Sequence, residues 1–129
     1  MTILTMRTDK PEAEIGLYQD SQQVAYEVWE AHRQLAETLH MRIKVLLEDR
    51  KMSLNDIEGI VVFKGPGSFT GLRIGLSVAN ALAYGLGVPI VATQSDWIEK
   101  GITKLLAGDT DSVSLPEYGA PVHITQQKK

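Results

Sequence analysis

GIVVFKGPGSFTGLRIGLSVANALAYGLGVPIVAT, residues 59–93, sets the architecture of this chain. Gly59 to Phe63 is apolar without alternation, the pattern of a strand buried on both faces. A glycine-rich turn follows, with Gly65, Pro66, Gly67, Ser68 and Thr70. From about Gly71 to Leu86 an apolar run reads as a helix that ends near Gly85 or Gly87, and Val88 to Thr93 is a second apolar strand. Strand, helix, strand in this order predicts parallel pairing through a right-handed crossover. Ile74 to Ser95 lacks any charge, a length that alone suggests a membrane span. Gly85, Gly87 and Pro89 break it, and Asn80 would place a polar group in lipid, so it reads as helix and strand instead.

Upstream, Ile3 to Met6, Glu14 to Gln19 and Val24 to Glu30 are strand-like and separated by polar turns, which predicts a three-strand meander. Val24, Tyr26 and Val28 fall on one face of the third strand and Ala25, Glu27 and Trp29 on the other. From Arg33 to about Lys51 the period lengthens: Leu35, Leu39, Ile43, Leu46 and Leu47 make the apolar stripe of an amphipathic helix. Ser53 and Asp56 have the spacing of a capping pair. Downstream, Ser95 or Asp96 is placed to cap a third helix ending near Ala107. Gly108 to Lys129 carries Pro116, Gly119 and Pro121 without periodicity, and reads as an extended or flexible tail. The expected order is βββαβαβα: one α/β lobe over residues 1–107, a mixed sheet flanked by helices, with a tail over 108–129.

The 129 residues are 43% hydrophobic and 22% charged, with a formal net charge of -3 and no cysteine. A disulfide framework, a thiolate metal site and a cysteine nucleophile are excluded. The charge argues against direct binding of a phosphate backbone. MTILTMRTDK has no apolar run behind basic residues, so a cytoplasmic location is expected and no membrane contact. His32, His40 and His123 lack metal-pair spacing, and Glu27, Glu30, Glu37 and Glu48 read as carboxylates on solvated faces. No Ser/His/Asp set is evident, and no cofactor is expected.

The glycine-rich turn sits where backbone N–H groups can hold an anion, yet it has neither the dinucleotide spacing nor the lysine of a phosphate loop. The plain reading is a tight connection with helix capping by Ser68 or Thr70. Beyond it, Gly71, Gly75, Ala79 and Ala83 recur every fourth residue. Glycine within a helix costs about 1 kcal/mol relative to alanine, so Gly75 marks a close approach. Two neighbours are open: this chain's own sheet or first helix, or a helix of another chain.

ILTMRTDKPEAEIGLY, residues 3–18, together with residues 59–93, resembles the TsaB (YeaZ) family of Gcp-like proteins, whose lobe has an actin-like (ASKHA, ribonuclease H-like) fold. The likeness spans roughly residues 1–105. It implies a non-catalytic partner of TsaD, the subunit that transfers a threonylcarbamoyl group to adenosine 37 of tRNAs reading ANN codons, in a complex completed by the ATPase TsaE. It also implies that the first helix and the GPGSFTGLRIG helix pair with TsaD or with a second copy. Carried onto this chain, the interface is Leu39, Ile43 and Leu47 with Gly71, Arg73, Ile74, Gly75, Val78 and Leu82. Arg73 is suited to a forked contact across that interface, its alternative being a solvated charge. The resemblance selects a partner as the neighbour of the small-residue stripe, a choice that fails if those positions lie sealed under the chain's own sheet.

Departures from the family pattern are specific. Arg7, Thr8 and Asp9 stand where members carry Asp-Thr-Ser, which argues against Mg-ATP chemistry. QSDWIEKG, residues 94–101, lacks the His-x-x-x-His pair of the catalytic paralogue. Most of a second lobe is missing, while LPEYGAPVHIT, residues 115–125, resembles the family's C-terminal end. The rival readings are a homodimeric interaction module unconnected with tRNA, and an actin-like nucleotide-binding enzyme.

Overall fold

A computed structural model describes residues 1–31, 34–67 and 69–110. The order is β1 (Thr2–Arg7), β2 (Glu12–Gln19), β3 (Gln22–Glu30), α1 (Leu35–Glu48), a 3-10 turn (Leu54–Asp56), β4 (Gly59–Phe63), α2 (Phe69–Leu86), β5 (Ile90–Thr93) and α3 (Trp97–Ala107). The strands form one mixed sheet in the order β3-β2-β1-β4-β5. β1, β2 and β3 pair antiparallel, whereas β1, β4 and β5 pair parallel, each parallel link being bridged by a helix. This is the single α/β lobe that the hydrophobic periods predict.

Why β4 has no polar face is visible in its neighbours. Every residue from Gly59 to Phe63 is buried. Gly59 and Val61 face α3, so closely that a Cβ on Gly101 would stand 2.3 Å from Val61 Cγ1. Ile60 and Val62 alternate to the other face, where α2 packs. α1 joins α2 there, burying Leu35, Leu39, Ile43, Leu46 and Leu47 as its period demands. Trp29 Nε1 donates to Thr38 Oγ1 of α1 at 3.2 Å, and Arg42 pairs with Glu27 of β3 at 2.7 Å. Glu27 is therefore no free solvated carboxylate, because the face of β3 that carries it is the one turned towards α1.

Two local expectations change. α2 begins at Phe69, so Thr70 lies in its first turn and is not its cap; Ser68 lies outside the described residues. Asp96 holds the N-cap position of α3 in a left-handed conformation, φ 52° and ψ 44°, but its side chain makes no cap bond. The start of α3 is tied instead by Thr93 Oγ1, which donates to the Trp97 carbonyl at 2.6 Å. Ile74 to Ser95 divides between α2 and β5, and no described helix is long and apolar enough to cross a membrane. Ser53 does match its expected role in part: its N–H donates to Asp56 at 2.8 Å. The greater part of the expected tail, residues 111–129, lies outside the described residues, as do His32 and His123.

Candidate functional site

The carboxyl ends of β1, β4 and β5 converge on the glycine-rich turn. Gly65 adopts φ 109°, a conformation that a side chain would strain, and this lets the chain reverse from β4 towards α2. Arg7 closes the end of β1. Its guanidinium lies 3.9 Å above the Phe63 ring centroid and reaches Asp9 at 2.7 Å and 3.2 Å. The bond to Asp9 holds the guanidinium above its ordinary pKa, against the opposing effect of burial. Asp9 in turn fills the space over Gly67, where a Cβ would stand 2.5 Å from its own. An internal ion pair thus occupies the corner where the family pattern presents an acid. A cavity of about 460 Å³ opens beside it, lined by Arg7, Phe63, Gly65, Pro66 and Gln94 to Trp97. Among the described residues no group of three or more His, Asp or Glu could hold a metal.

On β2 and β3, Tyr26 donates to Glu14, which also pairs with Lys10 at 3.1 Å. Burial first, then the bond to Glu14, raises the Tyr26 phenol above its usual value. With the folded pKa raised, the stabilisation is complete below the unfolded phenol's value of about 10 and is lost as pH climbs from there. Melting temperature should fall more steeply for the wild type than for Tyr26→Phe between about pH 9 and pH 11. Part of the slope should persist in the variant because burial also raises Tyr18. Identical slopes would remove Tyr26 from the alkaline response.

The small-residue stripe of α2 meets this chain's own backbone. A Cβ at Gly71 would stand 2.1 Å from the Thr8 carbonyl oxygen, and one at Gly75 would stand 2.0 Å from Thr8 Oγ1. The Thr8 hydroxyl donates to the Gly71 carbonyl at 2.7 Å. Ala79 and Ala83 are 0% and 6% exposed. The expectation that these four positions stand bare for a partner is corrected, because the glycines let α2 settle onto the end of β1. Docking that rests on the stripe falls with it.

The remaining predicted contact residues divide by burial. Leu39 lies wholly in the core, and Gly75 and Val78 are buried in this lobe. Ile74 is half-buried and Arg73 is exposed, with no ion pair among the described residues. Ile43 and Leu47, each 1% exposed and so as buried as Leu39, come together with half-buried Leu82 for another reason. Towards their C-terminal ends α1 and α2 leave an apolar groove of about 540 Å³, walled by these three residues with Met52, Leu54 and Leu86, and rimmed by His40, Lys44 and Glu48.

Sequence periodicity missed the outward side of this layer. Arg73, Ser77, Ala81 and Tyr84 form the exposed stripe of α2, and Tyr84 is 92% exposed. On α1, Met41 and Val45 are 57% and 42% exposed. Their signal was an apolar or aromatic residue at a helical position opposite the core stripe, which marks an interface when several share one side. Single exposed apolar residues are common, so the signal is weak without coordinates.

Comparison with known proteins places this geometry. The sequence model of the family described as "TsaD: tRNA N6-adenosine threonylcarbamoyltransferase" matches residues 29–95, just over half of the chain. The TsaB protein of Bacillus subtilis, described as a tRNA threonylcarbamoyladenosine biosynthesis protein, is 36% identical over 95 residues, which is 74% of this chain and 42% of that protein. Its Escherichia coli counterpart is 32% identical over 119 residues, covering 83% of this chain and 49% of that one. The chain therefore spans about half the length of these curated relatives. The structure of YeaZ from Pseudomonas aeruginosa superposes with a TM-score of 0.63 at 30% identity, covering 72% of this chain and 43% of that one. With the lobe, the turn and the sequence in agreement, the chain belongs to the family of that model and stands within it among the TsaB (YeaZ) proteins.

Proposed function

We propose that this chain is a non-catalytic subunit of tRNA threonylcarbamoyladenosine biosynthesis. Its α1–α2 layer docks onto the related helices of TsaD and holds that subunit competent to transfer threonylcarbamoyl to adenosine 37 of tRNAs reading ANN codons. The observation that carries this reading is the apolar groove between α1 and α2, lying in one layer with exposed Tyr84. Ile43, Leu47 and Leu82 wall the groove, and Arg73 on the outward stripe is available for a forked contact with a carboxylate. Support comes also from the relatives, two of which are described as biosynthesis proteins of this modification.

Docking of this kind acts by population: burying apolar surface on both subunits favours the TsaD arrangement that presents that surface. The ATPase TsaE joins through the assembled pair, and the chain by itself does not hold tRNA. Purified chain and TsaD from the same cell should co-elute, and adding the chain should raise threonylcarbamoyl transfer by roughly tenfold or more. Transfer at full rate by TsaD alone would end the proposal. Micromolar binding of Mg-ATP by the isolated chain would point to the nucleotide-binding enzyme, and self-association without affinity for TsaD to the homodimeric module.

A further inference from the structure

β3, nine residues long, is the longest described strand and stands at the margin of the sheet, with β2 as its neighbour among the described residues. A margin strand offers a row of backbone N–H and C=O groups to another strand unless something guards it. Here the guards sit at one end. The register shift leaves Val24 without a partner in β2, and the Arg50 guanidinium donates to the Val24 carbonyl at 3.5 Å. From Ala25 to Glu30 there is neither lysine nor proline, and Arg42 neutralises Glu27 at 2.7 Å. Val28 is 53% exposed on the outer face of the sheet, the side of α3: it shares a face with Tyr26, which aligns through Gly16 and Thr5 with Val61. On the other face, Val45 continues the flank of α1 that Thr38 and Arg42 turn towards β3, and both it and Met41, one turn before it, are exposed. Both faces of this margin therefore carry uncovered apolar side chains.

The sequence of β3 itself selects the occupant. A two-fold axis through the strand lays it antiparallel against the same strand of a second copy, with like faces continuous. An axis at Glu27 sets that carboxylate against itself, which destabilises the pair. One at Tyr26 brings Val28 onto Val24, where the register shift and Arg50 obstruct the ladder. One at Trp29 sets the Glu30 carboxylate against Val28. An axis at Val28 stacks the two exposed valines, places Glu27 opposite Trp29 and Tyr26 opposite Glu30, and opposes no like charges. We propose that β3 is a self-association edge: two copies join antiparallel about Val28, their sheets run on as one, and their α1 helices meet over the seam through Met41 and Val45. This edge flanks α1 on the side of Thr38 and Arg42, away from the groove shared with α2, so the inference does not depend on the docking of TsaD.

Sedimentation equilibrium on the full chain tests it. The wild type should show a monomer–dimer equilibrium, and Val28→Lys, which sets two cations against each other on the axis, should raise the dissociation constant at least about 30-fold. Melting followed by circular dichroism, at a dilution where both chains are monomeric, should give matching curves and so show that the lobe stays folded. Cross-linking gives an independent readout, because the chain has no cysteine of its own. Opposed residues of an antiparallel pair lie about 4.5–5.5 Å apart between Cα atoms, within the reach of a disulfide. Val28→Cys should therefore convert to a covalent dimer on mild oxidation, while Tyr84→Cys, 92% exposed at the wild-type residue but on α2, should stay monomeric under the same conditions. A wild type that sediments as a monomer even at about 0.1 mM overturns the proposal, as does a dimer that Val28→Lys leaves intact. Cross-linking of Tyr84→Cys in place of Val28→Cys also overturns it, by moving self-association to the helices.

Discussion

Gly75→Leu should unfold the lobe, not merely detach a partner. The nearest obstacle to a new Cβ is Thr8 Oγ1 at 2.0 Å, with Thr8 Cβ at 3.0 Å behind it, and Thr8 is itself 2% exposed and bonded to Gly71. A leucine has three further carbons to place in that space. Overpacking costs about 1–3 kcal/mol and occasionally more, so a loss of about 3 kcal/mol or more is expected. Gly71→Ala should also destabilise, because its obstacle is a backbone carbonyl that no rotamer change can move. The roughly 1 kcal/mol that alanine gains over glycine in a helix does not offset that clash. Gly85 is the control in the same helix: a Cβ there meets nothing within 4 Å. Gly85→Ala should stabilise by about 0.5–1 kcal/mol. Urea unfolding followed by circular dichroism reads all three. A Gly75→Leu chain as stable as wild type but deaf to TsaD would restore the stripe as a docking groove.

The stripe shows what a sequence can and cannot give. Small residues at every fourth position of α2 report that something lies close, and that much was correct. They do not report what, and the neighbour proved to be Thr8, far away in the chain and adjacent only after β1 and β4 pair in parallel. By contrast, the order of strands and helices was legible because each period is local: alternation in β3 separates Ala25 and Trp29 from Val24 and Val28, and the stripe of α1 names its five buried residues. Arg7 was readable as a cation out of place. That Asp9 neutralises it, and that the pair packs over Gly67, required the turn of the chain at the end of β1. Tyr84 was invisible for the opposite reason, since an aromatic residue in an apolar helix reads as core until its direction is known.

Ala81→Arg and Tyr84→Ala should separate docking from folding, as the glycine substitutions cannot. Both positions lie on the outward stripe of α2, and Tyr84 is 92% exposed, so unfolding free energies should stay within about 0.5 kcal/mol of wild type. An aromatic anchor at the centre of an interface contributes about 2–4 kcal/mol. Its loss should weaken the complex with TsaD by roughly 30-fold to 1,000-fold. Ala81→Arg forces a long charged side chain between apposed helices, where an unpaired buried charge costs about 2–5 kcal/mol, so a loss of similar size is expected. Arg73→Lys should be milder, about tenfold, because lysine keeps the charge and loses the fork. Calorimetric titration into TsaD checks each variant. Val28→Asp belongs in the same series, since it lies on the opposite face of the sheet and should bind TsaD as wild type does. If Val28→Asp weakens binding while Ala81→Arg and Tyr84→Ala do not, the partner sits on the outer face of β1–β3 and the α1–α2 layer is not the docking surface.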